Sequence, residues 1–236
     1  AVDLEPHTPY SESIGTAATG VALTGLDQPR KLIAITSSIP GEGKSTLAMN
    51  FAMFNSRIKP VVLVDADLRK PTVASGLGLD PNAKGLAELV AGMATLDECL
   101  QRVDGTNLQV IAAGRIPPNP LELIASARFR EVLGHIRARF DMVIVDCPPV
   151  NLVSDALIIG TQATGMIYVA KSDETPLPLV RSGLQRVSQA GVNVIGVVLN
   201  MHDFKKAERY YGEYSGYGKY GKYGKYGYYG KKVFAT

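Results

Sequence analysis

The segment SIPGEGKST, residues 38–46, sets a lysine and two hydroxyls directly behind a pair of glycines. Gly41 and Gly43 let backbone N–H groups turn inward around phosphate oxygens, and a following helix adds the partial positive charge of its N-terminus. Lys44 is spaced to reach β- and γ-phosphates, and the Ser45 hydroxyl to join a magnesium shell. This is a Walker A pattern whose first position is Ser38 instead of glycine. A Gly-rich turn before a helix is the bland alternative, and the strand–loop–helix context speaks against it.

About twenty residues further on comes VVLVDADLRKP, residues 61–71. Asp65 and Asp67 stand two apart at the end of an apolar run, and strand alternation points both to one side. Two carboxylates beside a phosphate site repel each other unless a cation joins them. With magnesium and an incoming hydroxyl they gain roles as ligand and base. MVIVDCPP, residues 142–149, then carries four apolar residues into Asp146, as a Walker B aspartate requires. An aspartate ending a strand is common, but three such features in this order are not.

These side chains need strands to carry them. KLIAIT (31–36), VVLVDA (61–66), LQVIAA (108–113), MVIVDC (142–147), MIYVAK (166–171) and VIGVVL (194–199) read as strands apolar on both faces, as in a parallel sheet covered by helices. Helical segments lie between them. Thr95 with Glu98 forms a capping box opening TLDECLQRV, Ser126 caps ARFREVLGHIRARF, and Ser154 caps DALIIGTQA. The alternation predicts an α/β doubly wound, mostly parallel sheet with helices on both faces, its ligands at the carboxyl ends of the strands. Residues 28–204 are expected to form this domain, behind an N-terminal segment of residues 1–27.

Beyond it the pattern stops. Nine of the eleven tyrosines lie between Tyr210 and Tyr229, in a stretch that includes GYGKYGKYGKYGYYG. No helical or alternating period runs through residues 205–236, and a flexible tail without a packed core is expected there. From Met201 onward eight Lys and Arg face three Asp and Glu, a balance of +5 that leaves −2 of the +3 total to the rest. The basic character therefore belongs to the tail, which argues against nucleic acid as a partner of the body. Two cysteines and three scattered histidines form neither a disulfide framework nor a metal cluster. No apolar run is long enough for a membrane helix. The chain begins at Ala1, as a fragment of a longer protein would.

SxxPGEGKST, VLVDADLRKP and VIVDCPP together resemble the cytoplasmic domain of the bacterial tyrosine kinases, P-loop enzymes unrelated in fold to the eukaryotic kinases. GLAELVAG (85–92) and AAGRIPPNPLELI (112–124) add to the likeness, as does the terminal tyrosine cluster. The resemblance implies an ATP- and Mg2+-dependent protein-tyrosine autokinase. Gly41, Glu42, Gly43, Lys44, Ser45 and Thr46 would hold the ATP phosphates, with Thr46 near the α-phosphate and Asn200 near adenine. Asp65 would take the proton of the incoming tyrosine, and Ser45, Asp67 and Asp146 would serve the magnesium. Lys44, Asp65 and Asp67 would be the catalytic residues. Tyr210, Tyr211, Tyr214, Tyr217, Tyr220, Tyr223, Tyr226, Tyr228 and Tyr229 would be the phosphate acceptors.

The resemblance further implies trans phosphorylation of a neighbouring subunit's tail, a membrane-embedded polysaccharide co-polymerase partner, and an opposing tyrosine phosphatase. It places the chain at the inner face of the bacterial membrane, through a segment this chain lacks, in control of polysaccharide polymerisation and export. One family feature is missing. An E-x-x-R-x-x-R-T-N pattern helps family members pack into a ring, but here Gly15 and Ala18 stand at the arginine positions. Neither can make an arginine's bidentate contacts, so no stable ring is expected of this chain.

Two other readings compete. Partition and division-site ATPases share these motifs, but they carry a second lysine where Ile39 stands and lack a tyrosine tail. A tail that stacks its aromatics on a polymer, with the body only regulating, is compatible with interleaved Lys and Tyr. A eukaryotic-type kinase is excluded, since there is no H-R-D loop and Asp203-Phe204 is followed by Lys205.

Overall fold

The computed structural model describes residues 8–26 and 29–203. In chain order the elements are α1 (Pro9–Leu23), β1 (Leu32–Ser37), α2 (Lys44–Ser56), β2 (Val61–Asp65), α3 (Val73–Gly76), α4 (Leu86–Val90), α5 (Leu96–Cys99) and β3 (Leu100–Arg102). There follow β4 (Leu108–Ile111), α6 (Pro120–Ala125), α7 (Ala127–Arg139), β5 (Met142–Asp146), α8 (Asp155–Gln162), β6 (Gly165–Lys171), α9 (Leu177–Gln189) and β7 (Val194–Asn200).

The strands form one sheet in the order β3-β4-β2-β5-β1-β6-β7. Every pairing is parallel except β3 with β4. This is the doubly wound sheet the alternation predicts, and its reason is visible in burial. Leu32 and Ala34 of β1 face one apolar layer, with Phe129 and Ile136 of α7. Ile33 and Ile35 face the other, with Leu47 and Phe51 of α2. Strands β1, β2, β4, β5 and β6 are apolar on both sides because both sides are covered, whereas the edge strand β7 is apolar yet leaves Val197 and Leu199 exposed. β1 lies between β5 and β6, so the chain winds away from it in both directions, and a crevice opens at its carboxyl end.

Three local expectations are corrected. The capping box at Thr95 is present, but its helix ends at Cys99, and Leu100 turns extended to begin β3, where Leu100 pairs with Ile111. One helical turn gives way because ladder bonds to β4 satisfy more backbone than a second, uncapped turn could. Ser154 precedes α8 but has helical dihedrals and makes no side-chain cap. Strand β2 ends at Asp65, so Asp67 lies in the turn beyond it. Ser126 does cap α7, its hydroxyl accepting from the Phe129 N–H at 3.0 Å.

Helix α1 lies on α2, burying Ile14, Ala18 and Val21 along one stripe. A Cβ on Gly15 would stand 3.3 Å from the Phe54 ring. Both positions that the resemblance reserves for arginine therefore face this chain's own body, and an arginine at Ala18 would displace the α1 packing. The tail and its nine tyrosines lie outside the described residues.

Candidate functional site

The loop between β1 and α2 closes around its own backbone. Gly41 and Gly43 both adopt left-handed φ, +87° and +83°, a region costly for any residue with a Cβ. For Gly43 space is also short, because a Cβ there would lie 2.2 Å from Asn200 Nδ2. No side chain caps α2, so the N–H groups of its first turn are not taken up by a capping side chain.

Contacts from β6, from β7 and from the turn after β6 hold this loop. The Tyr168 hydroxyl donates to Ser38 Oγ at 3.0 Å, which gives the serine at the first Walker position a purpose. Asn200 Nδ2 donates to the Glu42 carbonyl at 2.9 Å. The Glu42 carboxylate accepts from Ile39 N at 2.8 Å, Thr175 Oγ1 at 2.6 Å and Lys171 N at 3.3 Å. Glu42 is buried, so only its backbone N–H is left to meet a phosphate, and its side chain acts as a strap. A glutamine would turn an NH2 group toward three donors and strand at least one of them. Glu42→Gln is therefore expected to cost about 1–3 kcal/mol in denaturant unfolding, with weaker nucleotide binding; an unchanged unfolding midpoint would show that the strap contributes nothing.

The ionisable groups meet at the mouth of the crevice. Lys44 Nζ lies 2.8 Å from Asp67 Oδ2 and 3.4 Å from Asp146 Oδ1, and donates to Ser45 Oγ at 3.1 Å. Burial works against the Lys44 ammonium, but Asp146 and Asp67 outweigh it and hold its pKa above the ordinary value. Asp146 is fully buried, and burial raises its carboxyl to about 6 against the pull of Lys44 and Ser45. Asp65 is raised to about 7, first by burial and then by the charge of Asp146. Burial is the larger cause at both carboxyls, with the charge of Asp146 adding to it at Asp65 and that of Asp67 at Asp146.

Asp65 and Asp67 come together by a turn, not by strand alternation. Asp65 Oδ1 accepts the Asp67 N–H at 3.2 Å, and Oδ2 accepts from Thr72 and Val73 at 3.1 and 3.0 Å. Asp65 thus folds the 66–73 loop back on itself, while Asp67 keeps Oδ2 toward Lys44.

This donor set fits a hard divalent cation. Asp67, Asp146 and the Ser45 hydroxyl supply oxygen ligands, an ammonium already occupies the space between them, and Asp146 Oδ2 is buried with no hydrogen-bond partner. The left-handed loop at the start of α2 fits phosphates. Gly41 and Gly43 lie in the turn after β1, Lys44, Ser45 and Thr46 open α2, and Asp65, Asp146 and Asn200 end β2, β5 and β7, with Asp67 just beyond β2.

Sequence reasoning missed Tyr168, Thr175 and the pair Arg69–Asp155. Arg69 Nε meets the buried Asp155 at 3.0 Å, tying the Asp67 turn to the start of α8. Arg69 stands inside the quoted VLVDADLRKP, but nothing in the sequence pairs it with a residue 86 positions on.

Residues 30–170 match a family model described as an AAA domain. The chain is 35% identical over 207 residues to the tyrosine-protein kinase YwqD of Bacillus subtilis, covering 87% of each. It is 34% identical over 206 residues to the tyrosine-protein kinase Wzc of Salmonella typhimurium, covering 86% of this chain but 28% of that one. The solved kinase domain of the Escherichia coli tyrosine kinase ETK superposes with a TM-score of 0.77 at 31% identity, covering 80% of this chain and 74% of that one.

Proposed function

The chain belongs to the bacterial tyrosine-protein kinases, and we propose that it is an autokinase moving the γ-phosphate of ATP to tyrosines of its own C-terminal segment, in trans. The observation that carries this reading is the convergence of Lys44, Asp67 and Asp146 at one strand-end crevice, in a chain with nine tyrosines between Tyr210 and Tyr229.

Each residue has a part. Gly41, Glu42, Gly43 and Thr46 offer backbone N–H groups to the phosphates, and Lys44 neutralises the β- and γ-phosphates. Asn200 stands by the adenine. Its NH2 donates to the Glu42 carbonyl, which leaves its amide oxygen as the group to accept from a base with an amino group. Ser45, Asp67 and Asp146 would hold magnesium, which supplies charge neutralisation of the transferring phosphoryl group. The tyrosine oxygen attacks the γ-phosphorus, the bond from γ-phosphorus to the β–γ bridging oxygen breaks, and ADP leaves. The phenolic proton passes to Asp65, a carboxyl that burial holds above the ordinary carboxylate range. Asp65 Oδ1 carries one backbone donor and retains acceptor capacity, and opening of the 66–73 turn would admit the hydroxyl.

Glycines in the tail suit it to entering a crevice in extended form. Each phosphate adds about −1.5 to −2 charges, so four would take the tail from +5 to roughly −1 to −3. Attraction to the acidic site would become repulsion, and contacts between subunits would loosen. The chain would work at the inner membrane face beside a polysaccharide co-polymerase, opposed by a tyrosine phosphatase. Among the described residues no helix is long and apolar enough to cross a membrane.

Trans transfer is tested by mixing two full-length chains with Mg-ATP. One carries Lys44→Met and an intact tail, and the other an intact site with all nine tail tyrosines changed to phenylalanine. Phosphotyrosine on the Lys44→Met tail, rising with the concentration of its partner, is the expected result. A tail left unmodified in the mixture, while the wild-type chain modifies its own, overturns transfer in trans.

A further inference from the structure

Arg69 and Asp155 pair between two walls of the crevice, and stability alone does not account for them. The Asp155 side chain is 3% exposed and meets Arg69 Nε at 3.0 Å, while 40% of the Arg69 side chain stays in solvent. An aspartate in the first turn of a helix complements the helix dipole, but it does so at the surface too, without the desolvation that burial costs. Apolar side chains of the same volume often stabilise as much as a buried ion pair, or more. What the pair does fix is the position of one piece of chain against another.

Both pieces belong to the site. The wall that carries Asp155 is fastened to the end of β1, since the N–H groups of Val150 and Asn151 donate to the carbonyls of Ser37 and Ser38 at 2.9 and 3.4 Å. Ala156 and Ile159 of α8 are fully buried behind it. The other piece is the turn that carries Asp67. Ala66 N–H on the Asp146 carbonyl and Leu68 in the apolar layer hold its first half. Arg69 opens the second half, and the next N–H, that of Lys70, donates to Asp67 Oδ1 at 3.1 Å. With Oδ1 held there, Oδ2 is the oxygen turned to the crevice, 2.8 Å from Lys44.

We propose that Asp155 is a positioning residue of the kinase site: acting through Arg69, it sets the orientation of the Asp67 carboxylate and so the oxygen offered to the divalent cation. The proposal rests on the kinase reading above and deepens it. The Arg69 side chain, fixed by Asp155, fixes the peptide between Arg69 and Lys70, and that peptide's N–H fixes Asp67. Because the Asp155 wall hangs from Ser37 and Ser38, the Asp67 turn is placed relative to the phosphate loop itself. A ligand carboxylate held by such a partner loses affinity for its metal when the partner is removed, although no ligand has been touched.

The test separates folding from positioning with a pair of changes in the full chain. Arg69→Met leaves a buried carboxylate without its counter-charge, and its urea midpoint should fall. Adding Asp155→Leu removes that charge and should return the midpoint to about the wild-type value. The double variant is nonetheless expected to bind Mn2+ about tenfold or more weakly in its ADP complex, read from the spectrum of the free ion. Its affinity for ADP in EDTA should match wild type, and its tail phosphorylation should need correspondingly more Mg2+. A double variant that regains both the midpoint and the wild-type Mn2+ affinity overturns the proposal and leaves the pair a matter of folding. Equal losses of Mn2+ and ADP affinity overturn it too, because the pair would then shape the whole site. Should the double variant not regain its midpoint, Arg69→Lys decides, since it keeps a counter-charge for Asp155 without the planar Nε–H donor. Weaker Mn2+ binding at an unchanged midpoint is expected of it, and wild-type Mn2+ affinity overturns the positioning. A wild-type chain that never phosphorylates its tail counts against the kinase reading alone.

Discussion

Lys44→Met is expected to cut tyrosine phosphorylation of the tail by about 10²–10³-fold or more, the usual consequence of removing one charge aimed at a transition state. Mass spectrometry of residues 205–236 after incubation with Mg-ATP reads it directly. The argument rests on placement, since the ammonium lies at the mouth of the crevice, against Asp67 and Asp146, and at the start of the helix that would face the phosphates. Lys44→Arg should rescue little, because a planar guanidinium cannot stand in for a compact ammonium at a point-charge site. Folding and chemistry are separable in this variant. Far-ultraviolet circular dichroism reports whether the sheet survives. Equal tail phosphorylation in wild type and Lys44→Met would remove the P-loop as the catalytic centre.

The same lysine shows how far the sequence could be read. Periodicity located the six parallel strands; five are covered on both sides and so apolar throughout, and β7 carries the same pattern at the sheet edge with Val197 and Leu199 exposed. Spacing located Lys44, Asp65, Asp67 and Asp146, because each follows such a strand. The third strand, Leu100–Arg102, was hidden behind a genuine capping box, since a local signal that starts a helix carries no information on where the sheet will claim the chain. Pairing by alternation gave the right company for Asp65 and Asp67 for an incomplete reason. The strand stops at Asp65, and an Asp65 side chain holding the Asp67 N–H does what alternation was expected to do. Tyr168, Thr175 and Asp155 lay beyond reach altogether. Their partners Ser38, Glu42 and Arg69 are 130, 133 and 86 positions away, and only the winding order brings them together.

Glu42 carries a further lesson about what a motif encodes. Its place between two glycines suggests contact with ligand, yet its carboxylate is spent on Ile39, Thr175 and Lys171. The loop is thus held by this chain's own side chains, and binding energy need not be used to order it.

That shaping makes Gly43 the most sensitive backbone position of the loop. Gly43→Ala is expected to lower ADP affinity by about 10²-fold or more, well beyond Gly41→Ala. Both residues sit at left-handed φ, and strain of that kind alone costs about 1–2 kcal/mol, or roughly five- to thirtyfold. At Gly41 nothing lies within 4 Å of an added Cβ, so strain is the whole effect. At Gly43 the methyl would fall 2.2 Å from Asn200 Nδ2 and 3.2 Å from Met201 Cε. Asn200 would have to leave the Glu42 carbonyl it holds at 2.9 Å, loosening the loop from β7 and moving the residue proposed to meet adenine. Calorimetric titration with Mg-ADP separates the two costs. Adding Asn200→Gly to Gly43→Ala should recover part of the lost affinity, because it removes the clash and leaves only strain and the missing amide. Equal losses for Gly41→Ala and Gly43→Ala, or no recovery in the double variant, would mean that the approach of Asn200 does not govern the loop.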